Sequence, residues 1–236
     1  MSSNQESGHL RQTMPCWQCF LHEIANNDQF VKVAKRDGVP GPVEWALHVC
    51  DFHDSMCITC HANQTTCVRI PQTVTGDATD LIKTIAFINH ICHKCYPNPT
   101  AAPEQGDAPV YLLSRASRQE LVHHLLNLAM HFFWDIIGPG PLSVLKDQHA
   151  GHGTRLTAAD DRYLPWQCAI KRFHAGVSSA IQHVNTEITA LILGGIPIKL
   201  ANDIDVDFLA ELSDKIDNAV AKSIRNEIGE SESKGD

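Results

Sequence analysis

Apolar residues recur at three- and four-residue steps in four stretches of the chain, and each stretch predicts a helix with one buried face. Leu81, Ile82, Ile85, Ile88 and Cys92 predict a helix over residues 80–95, capped by Asp77 or Thr79, with Pro97 beyond its end. Leu121, Leu125, Leu128, Phe132 and Ile136 predict a second, opened by a Ser117-x-x-Glu120 capping box and stopped by Gly138-Pro139-Gly140-Pro141. The third is the longest apolar stripe: Trp166, Ile170, Phe173, Val177, Ile181, Val184, Ile188 and Leu191. Pro165 suits its first turn, and Gly194-Gly195 with Pro197 would end it. A fourth helix starts near Val206 and carries Leu209, Leu212, Ile216, Val220, Ile224 and Ile228, with Asp203, Asp205 and Asp207 at its positive end.

Between these stretches the pattern fades. Residues 1–13 read as a disordered lead-in, Tyr96–Ala108 as a proline-containing linker, and 142–164 as a loop with Gly151 and Gly153 flanking His152. From Pro15 to Val68 periodicity is weak while cysteines and histidines are dense, as expected where a bound metal stands in for an oily core. The expected fold is therefore mainly α. A small metal-stabilised N-terminal module (14–97) and a linker (98–114) would precede an α-helical bundle (115–230) and a disordered tail (231–236).

Composition narrows the class. The chain has 236 residues, 43% hydrophobic and 19% charged, ordinary for a soluble globular protein with a sizeable core. The stretch around Leu121–Ile137 is interrupted by His123, His124, Asn127, His131 and Asp135, so it predicts no membrane span. Met1–Met14 is polar and lacks the apolar centre of a secretory signal. The expected location is intracellular, nuclear or cytoplasmic. The formal charge is −8, and the segment from Ala201 to Asp236 supplies most of it, with ten acids against four bases. No Lys/Arg cluster offers the phosphate contacts that drive nucleic-acid binding.

In a reducing compartment, clustered cysteines read as metal ligands before disulfides. Eight of the nine cysteines precede residue 96, and six fall in three pairs: Cys16-x2-Cys19, Cys57-x2-Cys60 and Cys92-x2-Cys95. Cys50 and Cys67 lie between the pairs, and Cys168 alone sits within an expected helix, where a buried thiol is the simpler reading. Two cysteines separated by two residues can aim both sulfurs at one tetrahedral ion, and a second pair or nearby histidines close the site. Zinc is the expected cofactor. His53 and His61 are the nitrogen ligands taken into the expected set, while His22, His48, His90 and His93 are also near.

Cys50-x6-Cys57-x2-Cys60-x6-Cys67 resembles the second half of the fungal binuclear zinc cluster, the Zn2Cys6 module of fungal transcription regulators, with Cys16-x2-Cys19 as its opening pair. The resemblance implies that Cys16, Cys19, Cys50, Cys57, Cys60 and Cys67 hold two zinc ions, with two thiolates bridging both. It covers about fifty residues and consists of spacing. The interval from Cys19 to Cys50 holds thirty residues, far more than in the family. Its only bases are Lys32, Lys35 and Arg36, against Glu23, Asp28, Asp37 and Glu44, so the family's basic DNA-contact stretch has no counterpart. Cys92 and Cys95 are left over from that set, for a further ion or for replacement of some of the six.

Other chemistries fit less well. Cys57-Ile58-Thr59-Cys60-His61 matches a c-type haem attachment signature, which normally goes with export. Pro15-Cys16-x2-Cys19 matches part of a nucleobase deaminase signature but lacks the upstream His-x-Glu. There is no H-E-x-x-H, phosphate loop or G-x-S-x-G elbow. His149 and His152 read as solvated loop, and Asp160-Asp161 as loop or capping acids. The expected function is zinc-dependent recognition or scaffolding without catalysis. The alternatives are a DNA-binding regulator of the zinc-cluster type, or a zinc-dependent hydrolase using His48, His53 and His61. The expected partner is a protein, or a second copy through the 166–191 stripe, if that face does not pack within the chain's own bundle. Duplex DNA is less favoured, and no membrane partner is expected.

Overall fold

The computed structural model describes residues 16–37, 41–45, 52–53, 56–97, 109–137, 155–199 and 206–232. The fold is mainly α, as the periodicity predicts. Its helices are α1 (Trp17–Asp37), α2 (Ile58–Ala62), α3 (Thr75–His93), α4 (Arg115–His131), α5 (Tyr163–Ala180), α6 (Thr186–Gly194) and α7 (Val206–Glu232). Strands β1 (Phe52–His53) and β2 (Met56–Cys57) form one antiparallel pair, and β3 (Cys95–Tyr96) and β4 (Val110–Tyr111) another. The expected lead-in, Cys50, residues 98–108, the Gly-Pro stop at 138–141, the loop histidines 149 and 152 and the last four residues lie outside the described residues.

Helix α1 is the main element the periodicity does not predict. Its apolar positions are sparse, yet Phe20, Ile24 and Val31 are buried. Phe20 and Trp17 both meet Phe133, at 4.9 and 4.4 Å between ring centroids. Aromatic burial of this kind outweighs the poor helix formers Asn26, Asn27 and Asp28. The same apolar cluster runs through Ile85 and Ile88 of α3, Leu121 and Leu125 of α4, Phe173 and Val177 of α5 and Ile216 of α7.

Helix α3 begins at Thr75, a turn before the expected start, and neither Asp77 nor Thr79 caps it. Asp77 instead faces the interior, where its carboxylate accepts from Leu156 N at 2.8 Å and Trp166 Nε1 at 3.0 Å. Beside it Asp80 takes two hydrogen bonds from Arg155, both at 2.9 Å. These contacts fasten the start of α5 to α3. Helix α4 also starts a turn early: Ser114 is its N-cap and accepts from Ser117 N at 3.1 Å, while Ser117 Oγ lies 3.2 Å from His183 Nε2. Glu120 pairs with His124 instead of closing a capping box. A π-helical turn, Phe132–Ile137, continues α4 and keeps Phe132, Phe133 and Ile136 buried.

The expected helix over 166–191 is two helices. The apolar rhythm persists across the break, but residues 181–185 leave the helix, and Asn185 caps α6 by accepting from Glu187 N at 2.9 Å. Thr189 Oγ1 donates to Val184 O at 3.1 Å and so satisfies a carbonyl that the break exposes. Trp166, Ile170, Phe173 and Val177 are buried within the chain. Helix α5 packs chiefly on α4, closely enough that a Cβ on Gly176 would lie 2.4 Å from the His124 ring. Helix α7 is tied to the end of α3, with Lys94 donating to Asp217 at 3.0 Å and Tyr96 OH donating to the same carboxylate at 3.1 Å.

Two outcomes follow. Asp77→Ala strands two buried donors and should cost about 2–4 kcal/mol, read as a fall in denaturation midpoint. Burial raises the Asp77 pKa above the ordinary carboxylate value, against the pull of its two N–H donors. Its folded pKa therefore exceeds its unfolded one, so its contribution is fully present in acid and declines as pH rises through the folded value. Asp77→Asn should flatten that part of the stability profile. Gly176→Ala should destabilise by about 1–3 kcal/mol, since three ring atoms of His124 occupy the space; an unchanged melting temperature would contradict the close crossing.

Candidate metal centre

Two unlike segments meet at the N-terminal end of α1. Trp17 N donates to Val68 O at 2.8 Å, which pins the first turn of α1 beside the stretch that follows Cys67. From the other side, the β1–β2 hairpin leads directly into α2 and delivers Cys57 and Cys60. The two Cys-x2-Cys pairs use the same local device. Each first cysteine sits just before a helix, and its sulfur accepts the N–H of the second, Cys19 N to Cys16 and Cys60 N to Cys57, both at 3.4 Å. The short helical turn therefore aims both sulfurs of each pair to one side.

The pairs face each other. Cys16 Sγ lies 3.7 Å from Cys57 Sγ and 3.5 Å from Cys60 Sγ. Cys19 Sγ lies 3.6 Å from Cys57 Sγ and 3.9 Å from Cys60 Sγ. All four residues are buried, and they form an apolar cluster apart from the main core. Cys67 completes the neighbourhood: its sulfur accepts Cys57 N–H at 3.3 Å. The ligand atoms of Cys16, Cys57, Cys60 and Cys67 all lie within 4.8 Å of one another, a group able to hold a metal ion.

Electrostatics at the centre are uneven. Burial raises the Cys57 thiol pKa, but the Cys60 N–H and the sulfurs of Cys60, Cys19 and Cys16 outweigh it, and the net value falls to about 6. Burial raises Cys60 and Cys67. Protons must therefore leave buried sulfurs when a cation enters, as thiolate ligation requires. Beside the cluster is an open cleft of about 110 Å³ bordered by Gln18, Cys19, His22, Glu23, Cys60 and Asn63.

Three of the other expected ligands, Cys92, Cys95 and His61, are elsewhere. Cys92 is buried in the main core, where desolvation pushes its thiol up to about 12. Cys95 is exposed on β3, and His61 is exposed on α2. His53 pairs with Met56 across the hairpin. Cys50 lies outside the described residues. Among the described residues, Cys92, Cys95 and His61 join no group of three ligand atoms within reach of one another. His93 pairs with Glu44, and His90 meets Ser213 at 3.3 Å. Cys168 is exposed on α5, contrary to the burial expected of it; it lies off that helix's packed face. Of the cleft's lining, the sequence pattern singles out Cys19 and Cys60, with His22 three residues after Cys19, the one-turn spacing that places both on one side of α1.

Comparison with known proteins finds no matching family model, no matching curated protein and no matching solved structure.

The geometry separates the cysteines in a testable way. Cys57→Ser should abolish tight metal binding and loosen the α1–α2 junction, because Cys57 touches Cys16, Cys19 and Cys67. Cys92→Ala should leave metal content unchanged while lowering stability by about 1–2 kcal/mol through a small cavity. Metal analysis with thermal melts reads both, and metal loss in Cys92→Ala would contradict the placement.

Proposed function

We propose that the chain is a zinc-binding, non-enzymatic recognition or scaffolding protein, in which Cys16, Cys19, Cys57 and Cys60 hold one structural zinc ion. One observation carries this reading: the four distances across the two cysteine pairs run from 3.5 to 3.9 Å. Zinc–sulfur bonds of about 2.3 Å make a tetrahedron whose edges are about 3.8 Å, so the four distances across the pairs match the edges of such a site. Four thiolates fill the coordination shell and leave no position for a substrate or an activated water, which favours a structural role. The zinc would clamp α1 to the β1–β2 hairpin and α2. The partner would be a protein.

A second reading has one supporting observation. Cys67 lies in the same group as Cys16, Cys57 and Cys60. Five grouped sulfurs, with Cys50 as a sixth, are the number a binuclear zinc cluster uses, and that module reads DNA in the fungal regulators it resembles. Helix α1 sets Glu23, Asp28 and Asp37 against Lys32, Lys35 and Arg36 and so brings no net positive charge, which favours the first reading over this one, since duplex binding needs cationic contacts.

Metal content and a chelator melt test the proposal. The first reading predicts one zinc per chain, and a strong chelator lowering the melting temperature by about 10 °C. Two zinc ions per chain, with salt-sensitive duplex binding, would favour the binuclear reading. A melt indifferent to chelation would sink both.

A further inference from the structure

A four-coordinate ion takes four donors, and among the described residues this centre has five sulfurs. The fifth is Cys67, the one of the five that is only partly buried. Its sulfur is within 4.8 Å of those of Cys16, Cys57 and Cys60. Sulfurs this close are within reach of disulfide formation once side-chain rotation brings them to the bonded distance of about 2 Å. Among the described residues, one cleft gives access to part of the cluster. The cleft of about 110 Å³ reaches Cys19 and Cys60, but Cys16 and Cys57 do not border it. Cys60 is thus the one sulfur that both borders the cleft and belongs to the group containing Cys67. The cleft's other walls, Gln18, His22 and Asn63, are polar and suit a small hydrogen-bonding molecule.

We propose that Cys60 and Cys67 form an oxidation site, in which a peroxide entering the cleft converts the pair to a disulfide and expels the metal. The proposal rests on the zinc reading above. In the first step the Cys60 sulfur attacks one peroxide oxygen. The O–O bond breaks, the leaving hydroxide takes a proton to become water, and Cys60 becomes a sulfenic acid. In the second step the Cys67 sulfur attacks the Cys60 sulfur. The S–O bond breaks, and the departing hydroxide takes the Cys67 proton as a second water. The two sulfurs are oxidised by two electrons, and one peroxide is reduced to two waters. The ion is left with three thiolates and an open position, and it loses affinity accordingly. Because the clamp joins α1 to α2, loss of the ion loosens that junction.

Hydrogen peroxide on the zinc-loaded full chain tests this, with a chromogenic zinc indicator and disulfide mapping by mass spectrometry. A Cys95→Ser/Cys168→Ser background removes the two thiols exposed among the described residues, which would confuse the count. The expected result is release of zinc with a Cys60–Cys67 disulfide, and roughly tenfold slower release in Cys67→Ser, which lacks the neighbouring thiol. Release at the same rate in Cys67→Ser would overturn the inference. So would a map in which Cys67 stays reduced while other cluster cysteines pair, a readout that needs only the parent chain. Protein that carries no zinc before peroxide is added would overturn the zinc reading itself, and the two failures are distinguished by that first measurement.

Discussion

Five sulfurs crowded at the junction of α1 and α2 impose the constraint on which the N-terminal half depends. Thiolates 3.5 to 3.9 Å apart repel each other, and burial denies them the water that would screen that repulsion. A cation at their centre reverses the sign of the problem, turning repulsion into four bonds to one ion. The backbone around them is arranged for this outcome: an N–H group points at the first sulfur of each pair, and Cys57 N–H points at Cys67. With a metal bound, as proposed, the centre would be a joint between segments distant in sequence, as a disulfide would be, but with a ligand that can leave.

The joint matters because α1 also belongs to the main core. Phe20 and Trp17 lie within one turn of Cys16 and Cys19, and both rings pack on Phe133. The sulfurs and the aromatic anchors therefore share one turn of backbone, so a metal held there, as proposed, would act on the turn that packs on Phe133. Elsewhere the bundle rests on ordinary means: apolar stripes buried between α3, α4, α5 and α7, and a buried carboxylate, Asp77, that holds two donors across the α3–α5 contact.

Much of this architecture is legible in the order of the amino acids. The stripes of α3, α4, α5 and α7 follow a helical period over enough turns that their faces are recognisable, and most of the residues that form them are buried. The pairs Cys16/Cys19 and Cys57/Cys60 point to a candidate metal site because a two-residue spacing can bring both sulfurs to one side. Cys92 and Cys95 share the spacing but not the geometry. Cys92 is on α3 and Cys95 just past its end, so one thiol turns into the core and the other toward solvent. Spacing alone does not distinguish a turn that gathers sulfurs from a helix end that parts them. Helix α1 escapes the pattern because Asn26, Asn27 and Asp28 interrupt the rhythm of Trp17, Phe20, Ile24 and Val31. The break at 181–185 escapes it for the opposite reason, since the apolar rhythm runs straight through it and only Asn185, a cap in the middle of that rhythm, marks the interruption.

X-ray absorption at the zinc edge of the purified chain addresses the central claim most directly, because it counts and identifies the atoms bound to the ion. Four sulfur neighbours at about 2.3 Å are the outcome that a closed four-cysteine site requires. A shell containing nitrogen or oxygen from His61 or a carboxylate, or a chain that retains no zinc at all, would contradict it.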